Sequence, residues 1–212
     1  MRKLSFSDRL LDELQHGLNT SHQRPAMGER GYPAKGIEDG SLDEMDSAHS
    51  AGLMRVNNAG EVAAQGLYRG QALGARDSAL GAAMQQAAEE ENEHLNWCQQ
   101  RLGELNQGRS LFDGVWYWGS FGIGALAAAA GDKWSLGFVK ETEQQVCAHL
   151  DRHLEQLPQQ DQRSRAILVS MREDELRHAE NAAAAGAAEL PTPVKAAMTL
   201  VSKIMTFTAY RF

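Results

Sequence analysis

The sequence predicts an all-α protein built as a four-helix bundle, with an additional apolar helix and an additional C-terminal helix. Four long segments carry apolar residues at the three- and four-residue spacing of a helix face. Alternation with a period of two residues, which would indicate strands, does not occur over any useful length. Short polar connections separate the segments, and such connections place consecutive helices antiparallel in an up-and-down bundle.

Capping and breaking residues set the expected limits of the four core helices. The predicted ranges are 47–75, 78–103, 133–157 and 160–190. Ser78 is expected to cap the second helix, and Pro158 ends the third because proline cannot continue a helix. Gly60, Gly66 and Gly70 lower the intrinsic helix propensity of the first helix.

An arm and two further helices complete the predicted organisation. Residues 1–44 form the arm, in which a short amphipathic helix precedes a loop rich in glycine, proline and charge at residues 19–43. Residues 45–212 form the main domain. Within this domain, residues 115–131 form the apolar helix and residues 193–210 form the C-terminal helix.

The bulk composition argues against several classes of protein. With 212 residues and 42% hydrophobic content, the chain can bury the core of one domain. A net charge of −7, without a lysine or arginine cluster, argues against a nucleic acid as the main partner. Only two cysteines occur, which predicts reduced thiols and a cytoplasmic setting. Charged residues interrupt the N-terminal segment, so it lacks the apolar stretch of a signal peptide.

The uncharged segment 115–131 has two interpretations. It contains Trp116, Tyr117, Trp118 and Phe121, followed by small apolar residues. At ~1.5 Å per residue it is short for a bilayer, so an ordinary membrane-spanning helix is not expected. An aromatic cluster beside small apolar residues suits the membrane interface. A buried helix of the bundle explains the same composition equally well.

One pattern occurs twice: a helix with one glutamate in its apolar stripe is followed by a helix with a Glu-x-x-His pair, and the two glutamates are 30 or 32 residues apart. The six residues of the two copies are Glu61, Glu91, His94, Glu143, Glu175 and His178. On each helix the motif acid falls in the apolar stripe, where a core residue is expected. Four inward carboxylates, with two imidazoles one turn further on, form a ligand set for two metal ions.

Burial of these carboxylates calls for cations. Burying one unpaired carboxylate costs several kcal/mol, and four close together repel one another. Two divalent ions balance four carboxylates, and oxygen and nitrogen donors without thiolate favour iron or manganese over a structural zinc site. The alternative is that each Glu-x-x-His is an ordinary surface pair. The duplication, with a matching glutamate before each pair, argues against that alternative.

Residues near the motifs receive structural interpretations. The acids Glu89, Glu90 and Glu93 are predicted to lie on a solvated helix face. His149 is expected at the edge of the metal site and His153 at the surface. Tyr68 lies two turns after Glu61 on the same face and is expected to pack beside the site, with a redox role as the lesser alternative.

The motifs resemble those of a known family. The run Asn57-Asn58-Ala59-Gly60-Glu61, followed by Leu67-Tyr68-Arg69-Gly70-Gln71, resembles the His-Ala-Gly-Glu and Tyr-Ala-Gly-Gln signature of demethoxyubiquinone hydroxylases. The resemblance continues through both Glu-x-x-His pairs and through Glu143 with His149, and it covers about residues 45–212. The chain departs from the family at Asn58, Val62 and Leu150, where His, Tyr and Tyr are common. None of these three positions belongs to the ligand set.

The resemblance implies a ferritin-like di-iron carboxylate enzyme of ubiquinone biosynthesis. The six motif residues would bind two iron ions, with Glu91 and Glu175 as the bridging pair. The implied reaction is hydroxylation of a polyprenylated methoxy-methyl-benzoquinol, demethoxyubiquinol, with molecular oxygen as co-substrate. A substrate with a prenyl tail favours peripheral attachment to the cytoplasmic side of the cell membrane, because withdrawing the tail into water is costly. The resemblance also allows a homo-oligomer and contacts with other ubiquinone-biosynthesis proteins.

Two other functions fit a helical bundle with this ligand set. The first is iron storage or peroxide detoxification on the same fold, since fold does not fix function. Cage-forming ferritins do not need an uncharged aromatic segment in mid-chain, and this sequence has one. The second is a non-catalytic, membrane-bound helical scaffold, which would not require bound metal.

Overall fold

The computed structural model describes residues 6–23, 30–38 and 40–212, and these residues form seven helices and no strand. The helices are α1 (Phe6–His22), α2 (Glu44–Gly74), α3 (Ser78–Glu104), α4 (Asp113–Ala130), α5 (Asp132–Gln156), α6 (Gln162–Ala184) and α7 (Thr192–Arg211). Helix α2 packs along α3 and α5 packs along α6, and these four carry the predicted motifs. The all-α, ferritin-like four-helix bundle with additional apolar and C-terminal helices is therefore confirmed. The first five residues of the predicted amphipathic helix lie outside the described residues.

The predicted limits of the core helices are correct to within a few residues except at the end of α6, and the predicted cap of α3 and the predicted start of the loop after α1 also differ. Asp77, not Ser78, caps α3: its side chain accepts a hydrogen bond of 2.8 Å from the backbone N–H of Ala79. Helix α6 ends earlier than predicted because the chain turns at Gly186, which has a φ of 91°. Helix α1 continues into the segment predicted as the loop 19–43.

A layer of polar residues divides the core of the bundle into two apolar clusters. One cluster contains Met54, Cys98, Leu150 and Met171 among others. The other contains Tyr68, Met84, Val139 and Ala182 among others. On every bundle helix the predicted motif residues lie in sequence between the members of the two clusters. The motif layer therefore crosses the bundle between two apolar blocks.

Helix α4 lies against the backbone of α2 because glycines remove the side chains between them. Gly66, Gly70 and Gly74 recur every four residues along α2, which places them on one ridge of the helix. A Cβ atom on Gly66 would lie 2.2 Å from the carbonyl oxygen of Tyr117, and one on Gly70 would lie 2.2 Å from that of Phe121. Two of the glycines predicted to weaken this helix are thus required for its packing.

The aromatic residues of α4 pack against other side chains of the protein, as the interpretation as a bundle helix predicts, with Trp116, Trp118 and Phe121 half-buried. Tyr117 is fully buried, and the ring of Trp118 packs on it with centroids 5.0 Å apart. Trp116 packs against a small apolar cluster formed by α2 and α7. The exposed side of α4 is aliphatic, with Val115 and Leu126. No helix among the described residues is long and apolar enough to cross a membrane.

The two peripheral helices leave large apolar side chains exposed. These are Leu11, Leu14 and Leu18 in α1, and Leu200, Val201, Ile204 and Phe207 in α7. Helix α1 is anchored through polar contacts, since Glu13 accepts a hydrogen bond of 2.6 Å from Arg69 of α2. In α7 only Ala209 is buried. Both helices therefore present an apolar outer side.

Candidate metal centre

The six predicted motif residues meet in one buried cluster. Ligand atoms of Glu61, Glu91, His94 and Glu175 all lie within 4.8 Å of one another. His178 joins them through Nδ1, which lies 3.2 Å from Oε1 of Glu91. Glu143 is buried beside them and interacts electrostatically with Glu91 and Glu175. Four helices thus bring the six side chains together, and a metal ion can be held by the first four.

Both motif histidines turn the same ring nitrogen toward the carboxylates. Nδ1 of His94 lies 2.8 Å from one oxygen of Glu91, and Nδ1 of His178 lies 3.2 Å from the other. The opposite nitrogen, Nε2, contacts an acid on the other motif helix: Asp174 for His94 at 2.9 Å, and Glu90 for His178 at 3.0 Å. An Nε2–H that donates to an acid leaves Nδ1 with a lone pair for a metal.

Protons balance the charge of the metal-free cluster. Burial raises the pKa of Glu61 and of Glu143 well above the ordinary value, so both carboxyls are neutral. Burial acts in the same direction on Glu91 and Glu175, but the two histidines outweigh it and lower the pKa of both acids. Burial lowers the pKa of each histidine, but the adjacent carboxylates outweigh this effect and raise it, for His178 to about 11. Two divalent cations would replace the four protons on these groups at equal total charge.

The donor atoms are arranged to share a cation. Both carboxylate oxygens of Glu91 and Glu175, and Nδ1 of His94 and His178, are buried without a hydrogen-bond partner among the described residues. These atoms nevertheless approach one another to between 2.8 and 3.4 Å. Buried polar atoms are rarely left unpaired in proteins. Converging oxygen and nitrogen donors suit divalent iron or manganese, so the residues present fit a pair of such ions.

The acids that hold the histidines are not among the predicted site residues. Asp174 and Glu90 each directly precede the glutamate of a Glu-x-x-His pair, and this adjacency is the signal that could have identified them. The prediction that Glu93 lies on a solvated face is wrong, because Glu93 is 12% exposed and pairs with Arg30. Glu90 is 40% exposed, in agreement with the prediction, but it also contacts a motif histidine. Glu89 is exposed, as predicted. Helix α6 and the arm cover this side of α3, which the pattern of α3 alone could not show.

Other polar residues support the cluster. The hydroxyl of Tyr68 donates to Oε1 of Glu143 at 2.5 Å, so Tyr68 packs beside the site as predicted. His153 is buried with Nδ1 3.1 Å from Oδ1 of Asn57, so its predicted surface position is wrong. The ring of His149 lies 3.9 Å from that of His153. Burial lowers the pKa of His149 to about 4 and that of His153 to about 2, so both rings are neutral.

An apolar cavity of about 520 Å³ extends from the cluster to the surface. It lies between α2, α4, α5 and α7, and Glu61 and His149 belong to its lining. Most of the other lining residues are aliphatic or aromatic, among them Leu67, Phe138 and Met198. The cavity reaches the outside beside Leu126 and Val201, which line it and are also exposed. Its size suits an organic ligand.

Comparisons with known proteins identify the family. The profile described as "Ubiquinone biosynthesis protein COQ7" matches residues 48–209. A protein of Nitrosococcus oceani named 3-demethoxyubiquinol 3-hydroxylase is 55% identical over 99% of this chain and 98% of its own length. Proteins of the same name from Xanthomonas euvesicatoria and Chromobacterium violaceum are 56% and 53% identical over 96% of this chain, and over 94% and 98% of their own lengths. The two Glu-x-x-His pairs, their buried cluster and these similarities agree, and the chain belongs to the COQ7 family of ubiquinone biosynthesis proteins.

Proposed function

We propose that this protein is a 3-demethoxyubiquinol 3-hydroxylase, a di-iron monooxygenase, with residues 45–212 as the hydroxylase domain and residues 1–44 as an arm. One observation carries the proposal: Glu61 belongs both to the metal-binding cluster and to the lining of the apolar cavity. A ring at the inner end of the cavity therefore meets the cluster directly. The relatives named for this reaction cover nearly the whole chain.

The six motif residues would hold the proposed two iron ions. When bound there, two ferrous ions would supply electrons and open coordination positions for the activation of O₂. In the overall reaction one oxygen atom replaces a ring hydrogen as hydroxyl. The other leaves as water, with two protons and two electrons from an external two-electron donor. Asp174 and Glu90 hold the Nε2 protons of the histidines, and this fixes the ring orientation that ligation requires.

The cavity is proposed to bind the polyprenyl benzoquinol with its ring inward and its tail toward the opening. Its polar lining residues near the cluster include Asn57, Thr142, Gln145 and His149, which offer hydrogen-bond partners to ring oxygens. The remaining lining is largely apolar, which suits a prenyl chain and excludes water from the cluster. The neutral state of His149 keeps this wall free of charge.

We further propose peripheral attachment to the cytoplasmic side of the cell membrane through the outer sides of α4 and α7. The supporting observation is that the cavity opens beside the exposed aliphatic residues of these helices. A prenyl tail would then pass from lipid to cavity without crossing water, which costs about 0.8 kcal/mol per methylene. Flotation with liposomes tests this: V201D should shift the protein to the soluble fraction. V169D, an exposed valine on α6, is the matched control. Wild-type protein that stays wholly soluble contradicts the attachment.

Product analysis tests the hydroxylase function. Cells lacking the protein should accumulate the demethoxy quinone, measured by mass spectrometry, and the wild-type chain should restore the hydroxylated product. Glu143→Gln or Glu175→Gln should fail to restore it while the helicity of the purified variants is unchanged, because each removes a proposed iron ligand. Unaltered quinone profiles in cells carrying either variant refute the assignment.

The two alternatives are not favoured by the comparisons. The relatives are named hydroxylases, not storage proteins or scaffolds. Gel filtration separates storage from hydroxylation, because a storage protein would assemble into a large cage. Iron content after anaerobic reconstitution separates the scaffold, because a scaffold would bind substoichiometric iron.

A further inference from the structure

We propose that Arg30, from the arm, is a positioning residue for the metal centre, and that it acts on His94 through Asp174. This inference rests on the proposed function, since it concerns iron binding by the cluster. It assigns a role in the site to a segment outside the bundle, far from every motif in the sequence.

Arg30 contacts Asp174 and Trp97, the two residues that flank the outer side of His94. One guanidinium nitrogen lies 2.6 Å from Oδ2 of Asp174, the same oxygen that accepts from Nε2 of His94. The guanidinium also lies over the ring of Trp97, 4.9 Å from its centroid. That ring in turn packs on the imidazole of His94, with centroids 5.3 Å apart. Arg30 therefore reaches His94 indirectly, mainly through Asp174 and also through Trp97.

Glu93 holds Arg30 in this position. Its carboxylate pairs with the Arg30 side chain and also accepts a hydrogen bond of 3.1 Å from the Arg30 backbone N–H. The arm is therefore fixed to α3 at the residue that reaches across to α6. Two contacts from one carboxylate to one residue define the direction of the guanidinium more tightly than a single ion pair does.

A cation at Asp174 has a definite effect on the imidazole. It fixes the orientation of Asp174, whose Oδ2 lies 2.9 Å from Nε2 of His94 and accepts its hydrogen bond. The lone pair of Nδ1 then stays directed at the carboxylate cluster. Arg177 also contacts Asp174, at 2.6 Å, but it lies on the same helix, is half exposed and does not reach Trp97 or Glu93. Loss of Arg30 should therefore weaken the arrangement and not abolish it.

Iron release from the reconstituted full-length chain tests the proposal independently of hydroxylation. Ferrous iron is bound anaerobically, and its transfer to a chelator is followed by absorbance for wild type, R30Q, R30K and D174N. R172Q is the matched control, because Arg172 forms a comparable exposed ion pair with Asp151 elsewhere on α6. Changing an acid that contacts a ligand histidine typically costs roughly 10–100-fold in metal affinity. We expect D174N to release iron about 10–100-fold faster than wild type and R30Q about 3–10-fold faster, while R172Q should release it at the wild-type rate.

Two comparisons separate positioning from general loss of stability. R30Q should add less in the D174N background than it does to wild type, because Arg30 acts mainly through Asp174, whereas it should add its full effect to E90Q, which perturbs His178. R30K should recover part of the loss, because lysine restores charge but not the forked contact. Release from R30Q at the rate of R172Q, or full additivity with D174N, overturns the proposal while the hydroxylase assignment stands. A wild-type chain that binds no iron overturns both.

Discussion

The close contact of α2 with α4 can be tested by one methyl group. In Gly66→Ala the new Cβ would lie 2.2 Å from the carbonyl oxygen of Tyr117 and 3.2 Å from the backbone nitrogen of Phe121. Ordinary contact begins near 3.4 Å, so α4 must withdraw by about 1 Å. Overpacking of this kind costs about 1–3 kcal/mol.

The opposing term is smaller than this cost. Replacing glycine by alanine within a helix stabilises it by about 1 kcal/mol. The backbone carbonyl of Tyr117 cannot rotate away as a side chain could, so the upper part of the overpacking range applies. The expected net destabilisation is about 2 kcal/mol, which lowers the Tm by roughly 4–8 °C for a domain of this size.

Thermal unfolding followed by circular dichroism measures this effect. Gly119→Ala is the control, because Gly119 lies on α4 itself and a Cβ there meets nothing within 4 Å. The control should raise the Tm by roughly 2–4 °C through helix propensity alone. If Gly66→Ala were as stable as the control, the close approach of the two backbones would be disproved.

Three further perturbations follow from individual groups. Burial raises the pKa of Asp113 to about 6, so ionisation of this carboxyl destabilises the fold as the pH rises through 6. Relative to wild type, Asp113→Asn should therefore gain about 1 kcal/mol of stability between pH 5 and pH 8. Urea denaturation of both proteins at the two pH values measures this difference. An unchanged difference would contradict this burial. Tyr68→Phe leaves an oxygen of Glu143 without its donor and should destabilise the metal-free protein by about 1–3 kcal/mol. Tyr117→Phe should be neutral, because that buried hydroxyl has no hydrogen-bond partner within the described part of the chain. Equal unfolding midpoints for the two variants would count against the Tyr68 contact. Metal binding should release protons and strengthen as the pH rises, because the metal-free cluster holds protons on groups whose pKa is raised. Calorimetry in buffers of different ionisation heat measures the number of protons released. Metal binding without proton release would contradict this account.

The fold and the six clustered residues could be predicted because each signal is local to one helix. Glu143 stands among apolar residues at helical spacing, and the structure buries it at 1% exposure. The duplicated spacing required only that the four helices pack side by side. These features depend on periodicity, which a single sequence contains.

The rest depends on contacts between segments that are distant in sequence. The sequence predicts a surface position for His153, but residues of α2 and α7 pack around it. The sequence of α5 contains no signal for this burial. Helix propensity alone predicts that Gly66 weakens α2, although its four-residue spacing from Gly70 is typical of two helices in close contact. The roles of Glu93 and Arg30 needed the path of the arm, which carries no periodic pattern.

The helices that form the two long walls of the apolar cavity differ in how tightly they pack on the bundle. One is locked in place by direct contact between main chains at Gly66 and Gly124, so any movement would break many contacts together. The opposite wall, α7, rests on the bundle with a single buried residue, Ala209. Lipids of unequal length would therefore be accommodated by tilting this terminal helix. Divergence between enzymes that handle different tails should accordingly collect in α7, while the glycine-lined side stays constant.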